Sequence, residues 1–262
     1  MVKLFDSTGN VKGDIKLPSV FSTSMREDII KRVVLALQAN KRQAYGANRY
    51  AGLRTSAHYH GVKDTRGSMK NREIARLPRS HNTSGGQEWR ARRVPQTVGG
   101  RRSHPPTSEK IWTQKVNKKE MVIAVKSAIA ATANPELVSK RGHKFSCELP
   151  IIFDDSLNDV KTTKEMKNIL FELKLQEDLI RGGKKKVRAG KGTMRGRRYK
   201  RSKSVLVVSV DDSLEKPVAN IPGCDFKTLK KLTVEDLAPG TVPGRLTIWT
   251  EGAIKKLGEL YG

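Results

Sequence analysis

The chain has 262 residues, enough for one large domain or two small ones, and carries 52 Lys and Arg against 26 Asp and Glu, a net charge of +26. So large a self-repelling excess is compatible with a compact state only beside a polyanion, which makes nucleic acid the expected partner. A membrane is excluded as partner: no run of about 18 apolar residues exists, no lipidation signal or basic amphipathic helix is present, and the opening MVKLFDSTGN lacks a signal-peptide core, so an intracellular protein is expected.

Val2 to Phe5 and Val11 to Leu17 predict a strand pair around the turn cluster Asp6-Ser7-Thr8-Gly9-Asn10. Ser24 and Glu27 have capping-box spacing, and Ile30, Val33, Val34 and Leu37 then recur at helical intervals, which predicts a helix ending near Gln43. From Gly46 the periodicity stops for more than sixty residues. A second helix is predicted from Asn117, three residues before Glu120, to the stop Asn134-Pro135. A buried strand, Leu149 to Phe153, follows. A third helix, capped by Thr162 with Glu165, carries Met166, Ile169, Leu170 and Leu173 and closes before Gly182-Gly183. After a basic stretch the pattern resumes: a strand from Val205 to Val210, an extended piece from Val218 to Phe226, a short helix near Val234 to Leu237, a strand from Leu246 to Trp249, and a helix with Ile254, Leu257 and Tyr261. Strands alternating with helices predict an α/β fold with a mostly parallel sheet between helices. The expected organisation is a globular α/β domain of residues 1–44 and 111–262, an extended basic loop, 45–110, inserted in it, and a second basic loop, 181–203.

Structureless connections longer than roughly 12 to 15 residues are uncommon inside compact domains and are either functional or disordered. Composition separates the two. The segment holds Arg49, Arg54, Arg66, Arg72, Arg76, Arg79, Arg90, Arg92, Arg93, Arg101 and Arg102, with Lys63, Lys70 and Lys110, against Asp64, Glu73, Glu88 and Glu109. Arginine dominates because a planar guanidinium forks onto phosphates and stacks on bases, whereas lysine is a hydrated point charge. Tyr45, Tyr50, Tyr59 and Trp89 are candidate stacking surfaces for unpaired bases. A solvated linker is the rival reading, but linkers seldom interleave arginine with Tyr, Trp and glycine pairs. The segment is expected to order on RNA, its ordering entropy offset by counterion release.

Residues 181–203 (RGGKKKVRAGKGTMRGRRYKRSK) contain no acid, and Lys184, Lys185, Lys186, Arg188, Lys191, Arg195, Arg197, Arg198, Lys200 and Arg201 are taken as further RNA contacts. AGKGT at Ala189 to Thr193 fails as a phosphate-binding loop, since the pattern requires a glycine separated by four residues from Gly-Lys, and Lys185 stands there. No nucleophile elbow, metal-binding carboxylate pair or Cys-His pair stands out, so no catalytic site or cofactor is expected; an RNA-modifying enzyme is the distant rival. Cys147 and Cys224 each stand alone and are expected to be buried reduced thiols. The spacing of His58 and His60 can ligate a metal. With no Cys or acid pair nearby, these and His81 and His104 are assigned to solvent or RNA, and no metal site is expected.

Five strings together resemble large-subunit ribosomal protein four, in its archaeal form: IARLPRS (Ile74 to Ser80), RRVPQTVGGRRSHPP (Arg92 to Pro106), VRAGKGTMRGRRYK (Val187 to Lys200), NIPG (Asn220 to Gly223) and LTVEDLAPG (Leu232 to Gly240). The resemblance implies a cytoplasmic, non-catalytic constituent of the large ribosomal subunit, with a single Rossmann-like domain and a loop that penetrates large-subunit rRNA. It further implies neighbouring ribosomal proteins as partners and a loop tip at the peptide exit tunnel, close to the nascent peptide. Carried over by position, Ile74, Arg76, Arg79, Ser80, Trp89 and Arg93 lie nearest the tunnel, and Arg92 to Pro106 form the returning limb. One stretch departs from the family pattern: Ser68 to Glu73 stands where relatives carry a glycine-rich run. Some members of the family also bind messenger RNA as regulators, which is the alternative role.

Overall fold

A computed structural model describes residues 2–65, 68–81, 85–86 and 88–261. The chain divides into two compact units, Met1–Asn40 with Thr113–Gly262, and Lys41–Trp112.

In the first unit, β1 (Val2–Phe5) and β2 (Val11–Ile15) form the predicted hairpin. The next helix, α1, runs Glu27–Asn40, shorter at both ends than the apolar period predicts. At its start the Arg26 amide donates to Ser127 Oγ (2.7 Å). Glu27 and Asp28 thus become the first turn, where carboxylates suit the positive end of the helix dipole. At its end the Asn40 side chain imitates a backbone partner, donating to the Gln114 carbonyl (3.3 Å) and accepting from the Gln114 amide (2.8 Å).

Then come α2 (Lys118–Thr132) and α3 (Pro135–Lys140). Asn134-Pro135, expected only as a stop, is also a start. Asn134 caps α3 by accepting from the Glu136 amide at 3.0 Å, with Pro135 in the first helical position, where its missing N–H costs nothing. After β3 (Ile151–Phe153) the predicted third helix is two, α4 (Thr163–Glu172) and α5 (Gln176–Gly183). The Thr162–Glu165 capping box opens α4 as expected. Lys174, at φ 58°, breaks the run, and the second piece carries Arg181, Gly182 and Gly183, which were expected to lie in the basic loop. The chain continues through β4 (Lys186–Val187), β5 (Tyr199–Lys200), β6 (Leu206–Ser209), α6 (Glu215–Ala219), β7 (Asp225–Thr228), α7 (Val234–Leu237), β8 (Thr247–Thr250) and α8 (Glu251–Tyr261). Val218, expected in an extended piece, is therefore helical, and the strand begins after Gly223.

The main sheet has the order β2-β1-β3-β8-β6-β7, parallel except for the β1–β2 pair. This is the expected α/β class. Side chains alternate across a strand, so one face presents Ile152, Leu206, Val208 and Trp249 to α1, α2, α7 and α8. The other presents Ile151, Phe153, Val205, Val207 and Ile248 to α4, to Val218 of α6 and to the flanking Leu214 and Ile221. No helix among the described residues is long and apolar enough to cross a membrane.

Candidate nucleic-acid interface

Two basic surfaces carry the charge. The first is a hairpin on the α/β unit. Lys186 and Val187 pair antiparallel with Lys200 and Tyr199, the Arg188 amide donates to the Arg198 carbonyl (2.8 Å), and Gly190 to Gly192 form a single tight turn. AGKGT is thus the end of a hairpin, with neither the preceding sheet strand nor the following helix of a nucleotide-binding loop. Lys184, Lys185, Lys186, Lys191, Arg195, Arg197, Arg198, Lys200 and Arg201 are all exposed, and none has a carboxylate partner among the described residues. Arg188 differs: half-buried, it donates through Nε to the Arg197 carbonyl (3.0 Å) and so braces the hairpin.

A buried carboxylate fixes the hairpin's base. Asp178 of α5 is wholly inaccessible; it accepts from Arg181 Nε (2.8 Å), the Lys144 amide (3.1 Å) and the Ser204 hydroxyl, and lies 3.2 Å from His143 Nδ1. Burial alone would raise its pKa, but the hydrogen bonds from His143, Arg181 and Ser204 prevail and hold it well below the usual carboxylate range. Arg181 also donates to the Lys203 carbonyl (2.8 Å), so it ties the two ends of the basic stretch together and does not point into it. Beside it, Arg245, 1% exposed, donates to the Ser204 carbonyl (2.9 Å), the Asp236 carbonyl (3.0 Å) and the Asp225 carboxylate. Asp225 also takes Lys203 Nζ at 2.8 Å. Burial opposes ionisation of Asp225; Arg245 first and then Lys203 outweigh it and lower its pKa.

The second surface is the unit Lys41–Trp112. Among its described residues it has no helix or strand of its own, yet its limbs are joined by backbone hydrogen bonds. Ala47 donates to the Pro106 carbonyl (2.8 Å), His58 and Arg79 exchange both bonds (3.3 and 3.1 Å), and Arg92 donates to the Pro78 carbonyl (2.9 Å). Gly52, at φ +76°, lies so close to Arg101 that a β-carbon would sit 2.6 Å from its backbone. Arg49, Arg101 and Arg102 line a cleft with Pro105 and Pro106.

The predicted RNA contacts here separate into two groups. Arg49, Arg54, Arg72, Arg76, Arg90, Arg93, Arg101 and Arg102 are exposed. Arg79 instead donates to the Ala75 carbonyl (3.0 Å) and the Trp89 carbonyl (2.8 Å), and Arg92 to the Val98 carbonyl (3.1 Å), so both hold the loop's own fold. Arg66 lies outside the described residues. Of the predicted stacking rings, Tyr50 and Tyr59 are exposed. Tyr45 already stacks on Trp112 (5.8 Å between centroids), and the Arg72 guanidinium lies 4.5 Å from the Trp89 ring. Ile74 is exposed and Ser80 is buried, bonded through its amide to the Arg90 carbonyl (3.1 Å).

His58, His60 and His81, assigned from the sequence to solvent or RNA for want of a Cys or acid pair, come together in the structure with their ring nitrogens within 4.8 Å of one another. The search for ligands near His58 and His60 in sequence could not anticipate that the His58–Arg79 pairing carries His81 onto them. Burial first, then the neighbouring His60 and His58, lower the His81 pKa. Of the two thiols, Cys224 is buried and its pKa is pushed up to about 12 by burial, whereas Cys147 is only half-buried.

The family model described as "Ribosomal protein L4/L1 family" matches residues 15–260. The chain is similar to the large ribosomal subunit protein uL4 of Methanococcoides burtonii, 46% identical over 260 residues and 98% of each chain. It is as similar, at 46% over 262 residues and 98% of each chain, to that of Methanocaldococcus jannaschii, and at 46% over 263 residues to that of Archaeoglobus fulgidus. An α/β unit with a braced basic hairpin, an arginine-rich irregular unit and near end-to-end likeness to archaeal relatives agree: the chain belongs to the ribosomal protein L4/L1 family, in its archaeal type.

Proposed function

We propose that the chain is a structural constituent of the large ribosomal subunit in the cytoplasm, binding large-subunit rRNA and neighbouring ribosomal proteins without catalysing a reaction. Membership of the family supports the setting. The observation that carries the RNA role is the hairpin: nine exposed cations, Lys184 to Lys186, Lys191, Arg195, Arg197, Arg198, Lys200 and Arg201, with no carboxylate partner among the described residues. Such a surface is complementary to phosphates, and because phosphate contacts carry no sequence information, recognition rests mostly on RNA shape.

In this reading the exposed arginines of residues 45–110 take further phosphates where RNA helices pack closely. Tyr50 and Tyr59 offer ring faces to unpaired bases, and the middle of the segment, with Ile74, Arg76 and Arg93 exposed, lines the peptide exit tunnel close to the nascent chain. Arg79, Ser80 and Trp89 then shape that tip from inside. The test is sedimentation of tagged chain from a cell extract through a salt-containing gradient. Stable co-migration with the large subunit is expected; a predominantly free or messenger-bound pool would favour the regulatory role and count against this one.

A further inference from the structure

We propose that His58, His60 and His81 form a binding site for one divalent transition-metal ion of the zinc class, which pins the limb 56–60 of the irregular unit to its neighbour at 79–81. The three side chains converge for reasons visible in the backbone. Residues two apart on an extended chain point to one side, so His58 and His60 share a face. The paired hydrogen bonds between His58 and Arg79 lay the second limb alongside, and His81, two residues beyond Arg79, reaches the same point. One nitrogen from each ring lies within 4.8 Å of the others; tetrahedral zinc with ligands at roughly 2.0–2.1 Å sets them about 3.4 Å apart, so the His58–His60 pair opens and the wider separations close to take the ion.

The nitrogens are also prepared. His58 Nδ1 donates to the Ser56 carbonyl (2.8 Å), which fixes the tautomer and leaves Nε2 as a lone pair, as a backbone carbonyl does behind a metal-bound imidazole. That Nε2 faces His60 Nε2. His81 has both ring nitrogens out of solvent, and neither reaches a hydrogen-bond partner of good geometry among the described residues. A cation would supply the partner that these nitrogens lack. Three imidazoles suit zinc, cobalt, nickel or copper, and would exclude calcium and magnesium, which require oxygen donors. The Trp89 ring, edge-on to His81 with centroids 4.9 Å apart, gives the site an apolar wall, while exposed His58 leaves a fourth position open to water. A metal here would join two limbs by coordination in a unit whose described residues form no helix or strand to do so.

The experiment is titration of the full chain, stripped with chelator, first with zinc chloride by calorimetry and then with cobalt chloride by visible absorption. One ion per chain is expected, with the intense d–d bands of tetrahedral cobalt and no thiolate charge-transfer band. His58→Gln, His60→Gln and His81→Gln should each weaken binding by more than the roughly 10- to 100-fold that loss of an outer hydrogen-bond partner produces, whereas His104→Gln should change nothing. Imidazole nitrogen resonances of the unsubstituted chain give a readout independent of any variant's folding: zinc should shift three of the five histidines and leave His104 and His143 in place. Absence of stoichiometric binding, binding indifferent to the three substitutions, or a thiolate band placing the ion on Cys147 or Cys224 would each overturn the proposal.

Discussion

His143 and Asp178 make a pair of ionisable groups inaccessible to water, and both influence how the fold answers to acid. Burial lowers the His143 pKa, helped by the nearby charges of Arg181 and Arg141 and opposed by Asp178, so the folded chain takes a proton there less readily than the unfolded one. Asp178, ionised and hydrogen-bonded, likewise resists protonation in the folded state. When the unfolded state binds the extra proton, stability falls as pH falls. The His143 contribution is therefore complete above its ordinary value of about 6.5 and declines below it, and the Asp178 contribution is complete above about 4 and lost beneath that. Urea denaturation followed from about pH 8 to 4 should show a midpoint that starts to drop below about pH 6.5. His143→Gln should flatten that first decline, and Asp178→Asn should cost about 3 kcal/mol at neutral pH by removing the buried charge that Arg181 pairs with and turning one of its two acceptor oxygens into a donor. A midpoint equally pH-dependent in His143→Gln would assign the decline to general charge repulsion instead.

At the level of elements, the basic hairpin joins side chains of two functions. Among the described residues, Arg195, Arg197 and Arg198 have no side-chain hydrogen bond or ion pair, and Arg198 touches only the Tyr199 ring (5.6 Å). Arg188 braces the hairpin. Replacing Arg195, Arg197 and Arg198 together by Gln should lower the slope of log K against log salt for rRNA binding by about 2 to 3, at roughly 0.7–0.9 per phosphate contact, while leaving the urea midpoint where it was. An unchanged slope would remove these three from the interface. Much of this level was legible in the residues. The capping box at Thr162, the apolar runs about Leu206 and Thr247 and the acid-free stretch after Gly183 each carry a local signal. What escaped was set elsewhere in the chain. Lys174 breaks a helix with no glycine or proline to mark it, and Ser127 decides where α1 begins from a hundred residues away. Asp178 and Arg245 look like surface charges until their partners are assembled, and His81 meets His58 only through a backbone pairing.

For the whole molecule, the decisive fact is that the α/β unit is discontinuous, with Lys41–Trp112 set into it as a unit of its own. The Asn40–Gln114 bonds close the first unit across the point of insertion. Deleting residues 61–99 should consequently leave the urea midpoint and helix signal of the α/β unit close to those of the full chain, yet impair maturation of the large subunit. Normal subunit assembly with the deleted chain would deprive the irregular unit of its proposed role. The same discontinuity has a consequence in time. Leu4 has Ile152 for its partner in the sheet, and at ordinary elongation rates the ribosome needs about 7–30 s to make the chain between them. The last arginine of the inserted unit, Arg102, is made 49 residues before Ile151, roughly 2–10 s before that strand exists. During those last seconds the nascent product is an unpaired sheet edge and the apolar face of α1 attached to a finished polycation. Any polyanion within reach can therefore engage this chain before it has a closed fold to protect it.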